Sequence, residues 1–416
     1  MRRQKKLSVS SQSMRYFMLL ILPLIACATP PEVYRSGIPA AVAPETVQGD
    51  VVYRVFRGTN PERKRIHTCY VQHGYGIPSA LAQQSAQKYD RFVSTYYGND
   101  FIPQLLANPC GEVIVALQES NETTILEMTI RTERFLRDTV CTTDHPGQIA
   151  CAYIGHSKGG AVAYNVARRC MQQTSEMGQI ACNRLGEVFS AAGVVQGAML
   201  TFTALGAYVE NKSDAQSFIS RVLGFGLNLV FDVYKEYIPG KSNPIWIDLS
   251  PLAPMENGDS LYSVNSVPLQ KTGWLKADFA AAASDYEYKG DGTDIVSGCG
   301  EEGSVYTTGC KRFAAASEIL HRNDLRPAFE KGRASLQSDI RFQKWAEILA
   351  TMTWEKQQRS DGLADFELAM RSCQAGLSVM YAPAVKRCAS IKNLNHWAAA
   401  GGGPEIRQVI IEELSK

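Results

Sequence analysis

The 416-residue chain is 45% hydrophobic and 20% charged, and its 43 Lys and Arg against 41 Asp and Glu leave a formal net charge of +2. That apolar share suffices for one large core, or for a domain carrying a sizeable insertion. The near-neutral balance, with no long basic or acidic block, gives no case for nucleic-acid binding, so substrate and partner have to be read from sites.

Arg2, Arg3, Lys5, Lys6 and Arg15 precede the apolar run "YFMLLILPLIAC". The run is too short for the roughly 20 residues of a membrane-spanning helix and has the length of a secretory signal core. Its end, Leu24 to Cys27, resembles the bacterial lipoprotein signal: a branched apolar residue, two smaller ones, then the cysteine that receives lipid. The resemblance implies a signal peptide over 1–26, cleavage before Cys27, acylation (palmitate) of that residue and a membrane anchor; an ordinary cleaved signal is the alternative. Ala28 rather than Asp after the cysteine resembles the outer-membrane sorting default. Residues 27–50 then read as a lipidated cysteine on a Pro/Ala-rich tether.

From residue 51 short apolar runs alternate with helical spacing. "DVVYRVF", "HTCYVQ", "EVIVALQE", "QIACAYIG" and "EVFSAAGVV" read as strands, several too continuously apolar for one wet face. Between them "SALAQQSAQKYDRFVSTYY", "TILEMTIRTERFLRDTV" and "AVAYNVARRCMQQ" have helical periodicity. This alternation predicts an α/β domain over 51–416, with a mostly parallel sheet and helices on both faces. Residues 198–265, rich in Leu, Phe, Val and Tyr, read as a cap or lid over a pocket, with plain core helix as the alternative. "WLKADFAAAAS" resumes the strand pattern, 311–390 reads as a helical insertion, and Pro404 stands at the first turn of a final helix.

Eleven cysteines fit an exported chain. With Cys27 set aside for lipid, an even number remains, and no C-x-x-C occurs; disulfides are expected rather than a metal site. Pairing of neighbours is expected, above all Cys170–Cys182, Cys299–Cys310 and Cys373–Cys388.

Gly155-His156-Ser157-Lys158-Gly159 fits G-x-S-x-G between an apolar run and an alanine-rich helix. A serine standing at the tip of such a turn takes a strained backbone, and side chains two positions to either side would collide. The helix beginning after it turns free N–H groups and its positive end toward an oxyanion forming there. With this motif in its strand–turn–helix context, the chain resembles the α/β-hydrolase family, lipase and esterase branch. The resemblance implies an α/β-hydrolase fold, a Ser-His-Asp triad with Ser157 as nucleophile, and no metal or organic cofactor. Upstream, "YVQHGYG" with Gly74, Tyr75 and Gly76 resembles the H-G-x-G oxyanion loop of lipases, which implies that the backbone N–H groups of Tyr75 and Lys158 hold the oxyanion. The Lys158 side chain itself reads as solvated.

The triad acid should follow a later strand. "GDGTDIVSGC" resembles the acid loop of bacterial lipases; Asp294, followed at once by Ile295 and Val296, fits better, and Asp291 stays open. The family order Ser, Asp, His leaves His321 and His396. His321 has the usual spacing but helical neighbours, whereas His396 follows a short strand and precedes a glycine loop and the terminal helix, and is preferred. His156 reads as a packing residue.

The sequence thus points to a lipid-anchored serine hydrolase of the cell envelope, an outer-membrane lipoprotein facing the periplasm or the cell surface, acting on an ester or lipid substrate. A thioesterase, acyltransferase or peptidase on the same triad remains open, as does an inactive hydrolase-fold scaffold or binding module.

Overall fold

The computed structural model describes residues 46–48, 51–74, 86–118, 120, 123–210, 248–269, 273–288, 293–300, 304–322, 325–370, 373 and 387–416, all within the unit Pro39–Lys416. The signal segment, Cys27 and most of the tether lie outside these residues, as does the middle of the expected cap. The tether's last stretch is not plain linker: Thr46–Gln48 forms a strand, β1, antiparallel to the next.

Seven further strands complete one sheet: β2 (Val51–Arg57), β3 (Ile66–Gln72), β4 (Cys110–Gln118), β5 (Ile149–His156), β6 (Leu185–Ala191), β7 (Asp278–Ser284) and β8 (Cys388–Ile391). Their order is β1-β2-β4-β3-β5-β6-β7-β8. β2 runs antiparallel to β4, and the six strands from β4 to β8 along that order are mutually parallel. Consecutive residues of β5, Ala150 to His156, are all buried. Because side chains alternate across a strand, both faces of the sheet must be covered there.

The covering helices are α1 (Ala86–Tyr97), α2 (Phe101–Ala107), α3 (Ile125–Phe135), α4 (Lys158–Met171), α5 (Gly178–Arg184), α6 (Leu200–Glu210), α7 (Val305–Arg322), α8 (Arg326–Ser338) and α9 (Pro404–Leu414), together with shorter turns of helix. α3 begins with a full capping box, in which Thr124 and Glu127 satisfy each other's backbone N–H groups. It packs on α4, while α1 packs on α7 and α9 on α2. Pro404 opens α9, where its missing N–H costs nothing.

The expected strand "EVFSAAGVV" ends earlier than its composition suggests. Ala192 takes φ 45°, which stops β6 at Ala191 and turns the chain. Beyond it, α6 and α8 build a second core of Met199, Phe202, Leu205, Leu325, Phe329 and Trp354 with their neighbours. Their backbones approach so closely that a Cβ on Gly206 would stand 1.5 Å from the Ala328 carbonyl oxygen.

Five disulfides join Cys69–Cys110, Cys141–Cys151, Cys170–Cys182, Cys299–Cys310 and Cys373–Cys388. The three pairs expected above are among them. Such a set suits an extracellular or periplasmic location. Among the described residues no helix is long and apolar enough to cross a membrane.

Candidate active site

β5 ends at His156 and α4 begins at Lys158, so Ser157 alone makes the turn. It does so at φ 56°, ψ −121°, a backbone conformation that non-glycine residues rarely take. The turn is held by its own backbone: Ser157 N–H donates to Ala191 O at 3.0 Å, and Ser157 O accepts from Gly160, Ala161 and Val194. The flanking glycines have the steric reason the motif requires. A Cβ on Gly155 would lie 2.2 Å from Gly159 O, and one on Gly159 would lie 2.5 Å from His73 O.

His396, just beyond β8, reaches the serine, with Nε2 2.8 Å from Ser157 Oγ. Its Nδ1 lies 2.8 Å from Asp361 Oδ2, and its backbone N–H donates to Asp361 O at 2.9 Å. The carboxylate accepts from Nδ1–H, which leaves Nε2 a lone pair facing the serine hydroxyl. All three side chains are buried. Asp361 is oriented from its other side too, since Oδ1 accepts the N–H groups of Leu363 and Ala364 at 2.9 and 2.7 Å.

The acid partner differs from the sequence expectation. Asp291 and the Asp294 side chain lie outside the described residues; Asp294 belongs to a short helix, Thr293–Ser297, and the carboxyl that meets the imidazole is Asp361. The physical reason is a long helical excursion after β7 that returns to its starting point. Glu287 bridges Arg359, Ser360 N–H donates to Tyr286 O, and Arg359 pairs with Asp285. Asp361 therefore stands just past the end of β7 in space, though far from it in sequence. The loop that was expected to carry the acid supports the histidine from behind: Asn395 Nδ2 donates to Ile295 O at 3.0 Å and packs on the Cys299–Cys310 sulfurs.

The alternate histidine, His321, is committed elsewhere. In α7 its Nδ1–H donates to Ser317 O at 2.7 Å and its ring stacks on Tyr288 at 3.6 Å. Burial lowers its pKa to about 4. His73 is likewise lowered to about 4 by burial; its Nε2 accepts Gln118 N–H at 3.0 Å, so Nδ1–H donates to Gly74 O. Asp365, buried in the acid loop with Oδ2 accepting Met199 N–H, is pushed up to about 8 by burial and is neutral at pH 7.

Lys158 corrects a second expectation. Its side chain is not solvated but fully buried, with Nζ donating to Ser120 O at 3.0 Å and to Thr123 O, and lying 2.7 Å from Asp248 Oδ2. Burial raises the Asp248 pKa, against the opposing pull of the Lys158 charge. Asp248 Oδ1 also accepts Ile125 N–H at the start of α3. One ion pair thus fastens the first residue of α4 to the β4–α3 connection and to Asp248 within the 198–265 segment.

Of the expected oxyanion loop, Gly74 is described and touches the serine turn, while Tyr75 and Gly76 lie outside the described residues. Sequence reasoning missed Asp361, Asp248 and Tyr96; the run "RSDGLADF", a turn signal before a helix, was the one available pointer to Asp361. Among the described residues no group of three His, Cys, Asp or Glu side chains is placed to hold a metal ion.

No family model and no curated sequence matches the chain. Among solved structures it is similar to an ester hydrolase from the metagenome of Lake Arreo, complexed with a bipyridine phosphonate derivative, at 15% identity and a TM-score of 0.39 over 93% of this chain and 83% of that one. A lipase-esterase related protein from Clostridium acetobutylicum matches at 13% identity and a TM-score of 0.28 over 56% of this chain and 79% of that one. Likeness at these scores carries no argument about the site, whose reading rests on its geometry.

Proposed function

We propose that the protein is an exported serine hydrolase of carboxylic esters, anchored by lipid on Cys27 and working through Ser157, His396 and Asp361. The observation that carries this reading is the unbroken line of two 2.8 Å bonds from the Asp361 carboxylate through the imidazole to a hydroxyl on a strained strand-to-helix turn. In the proposed cycle His396 Nε2 takes the hydroxyl proton as Ser157 Oγ attacks the ester carbonyl. Asp361 keeps the proton on Nδ1 and stabilises the imidazolium that forms. The Lys158 backbone N–H, at the start of α4, and that of Tyr75 hold the oxyanion. Collapse passes the Nε2 proton to the leaving alcohol and leaves an acyl-enzyme. Water, deprotonated by the same nitrogen, then releases the acid and restores Ser157.

A fluorophosphonate probe tests the chemistry. Wild-type protein takes the label at Ser157 at neutral pH, and Ser157→Ala does not; folded wild-type protein that takes no label overturns the reading. Hydrolysis of p-nitrophenyl esters of short and long acids, beside a thioester and a peptide anilide, sets the substrate class. Anchoring is tested separately by incorporation of labelled palmitate, expected in the wild type and lost in Cys27→Ser.

A further inference from the structure

Beside the triad runs a second line of hydrogen bonds that the cycle above does not use. Gly74 N–H donates to Tyr96 Oη at 2.8 Å. Tyr96 Oη lies 2.6 Å from His156 Nδ1, and His156 Nε2 lies 2.9 Å from the carbonyl oxygen of His396. With the imidazole of His156 neutral, the two ends fix the direction of every bond between them. A backbone N–H can only donate, so Tyr96 accepts at Gly74; a carbonyl can only accept, so His156 carries its proton on Nε2. Its Nδ1 is then a lone pair, and Tyr96 must donate to it.

We infer that Tyr96 and His156 are positioning residues of the reaction, a one-way relay that sets the oxyanion-side loop at Gly74 and the backbone of His396 at fixed distances from Ser157. The inference rests on the reading of Ser157 and His396 as nucleophile and base. Tyr96 belongs to α1, the helix that also meets the next residue along, since Trp397 Nε1–H donates to Thr95 O at 3.2 Å. His156 precedes the nucleophile directly. Through Tyr96 three other chain segments distant in sequence, at Gly74, His156 and His396, are therefore tied together, each within one residue of a group that the reaction needs. His156 is buried, and burial together with the neighbouring His396 holds its pKa well below 6.5, so the relay keeps its neutral form at physiological pH. Displacement of a reacting group by about 1 Å costs on the order of 100-fold in rate, which is the scale on which such a tie acts.

The test is a double-mutant cycle on kcat, each variant normalised to its fluorophosphonate-titrated sites so that misfolded protein does not count. Tyr96→Phe is expected to lower kcat about 10- to 100-fold with KM on a soluble p-nitrophenyl ester changed less than about threefold. His156→Phe should do the same, and the double variant should be no worse than about threefold below the weaker single, because both act through one line. A Tyr96→Phe enzyme with wild-type kcat per titrated site, or losses that multiply in the double variant, overturns the inference. Nitrogen-15 histidine spectra of the wild-type protein provide a check that needs no variant to fold. His156 should be the Nε2–H tautomer and His396 the Nδ1–H tautomer, and a His156 proton on Nδ1 also overturns it. Should wild-type protein take no fluorophosphonate label, the proposed function fails instead, and the spectra alone still report on the relay.

Discussion

The Gly74 backbone packs directly against the Ser157 side chain: a Cβ built on Gly74 would stand 2.5 Å from Ser157 Cβ and 3.0 Å from Oγ. No rotamer relieves that, because the colliding atom is the first carbon of the nucleophile's own side chain. Gly74→Ala must push the loop away from the serine or turn the hydroxyl off His396. We expect kcat per folded molecule to fall at least about 100-fold, as for loss of an oxyanion donor, read by steady-state kinetics with circular dichroism as the fold control.

The acid assignment separates cleanly by mutation. Asp361→Asn keeps an oxygen for the Leu363 and Ala364 N–H groups but offers His396 an NH₂, favouring the wrong tautomer. Turnover should drop by roughly 10³- to 10⁴-fold with little change in Tm. Asp294→Asn should stay within about threefold of wild type. A large loss in Asp294→Asn beside near wild-type turnover in Asp361→Asn would return the acid role to the 291–294 loop.

The Lys158–Asp248 pair gives a stability prediction. Lys158→Met strands a buried carboxylate and should cost about 3–5 kcal/mol in urea unfolding, whereas Lys158→Met with Asp248→Leu should recover more than half of that. A single variant within about 1 kcal/mol of wild type would show that the pair contributes no such stability.

Acid should loosen the fold before it protonates most carboxylates. His73 and His321 titrate near 4 in the folded protein and near 6.5 when unfolded. Between those values the unfolded chain holds more protons, so their contribution to stability is full above about pH 6.5 and is lost as pH falls toward 4. Tm measured across that window should decline steadily. His321→Phe, which keeps a ring against Tyr288, should reduce the slope by about one proton; an unchanged slope would show that His321 does not titrate there.

What the sequence made legible was local. The serine turn declares itself in five residues because its strain, its glycines and its flanking strand and helix are neighbours in the chain. Cysteines bonded to their sequence neighbours are legible for the same reason, and so are six strands whose apolar runs need no partner to be seen. Asp361 was hidden because the rule that an acid follows its strand holds in space, and a helical excursion separates the two readings. The burial of Lys158 was hidden because its partner, Asp248, is remote, and a lysine beside a turn reads as solvated unless a distant carboxylate is known to meet it. Tyr96 looked like one more aromatic on an amphipathic helix; only the crossing of three segments gives its hydroxyl something to hold.

The five cross-links share one topological property. From Cys69 onward the cysteines pair off two by two in chain order, at sequence separations from 10 to 41 residues, so no bridge spans another. A chain threaded N-terminus first through an export channel therefore presents every partner before the following pair emerges. With Cys27 taken by lipid, as proposed, an oxidase that simply joins thiols in order of arrival would produce the native set, without a reshuffling enzyme to undo mistakes.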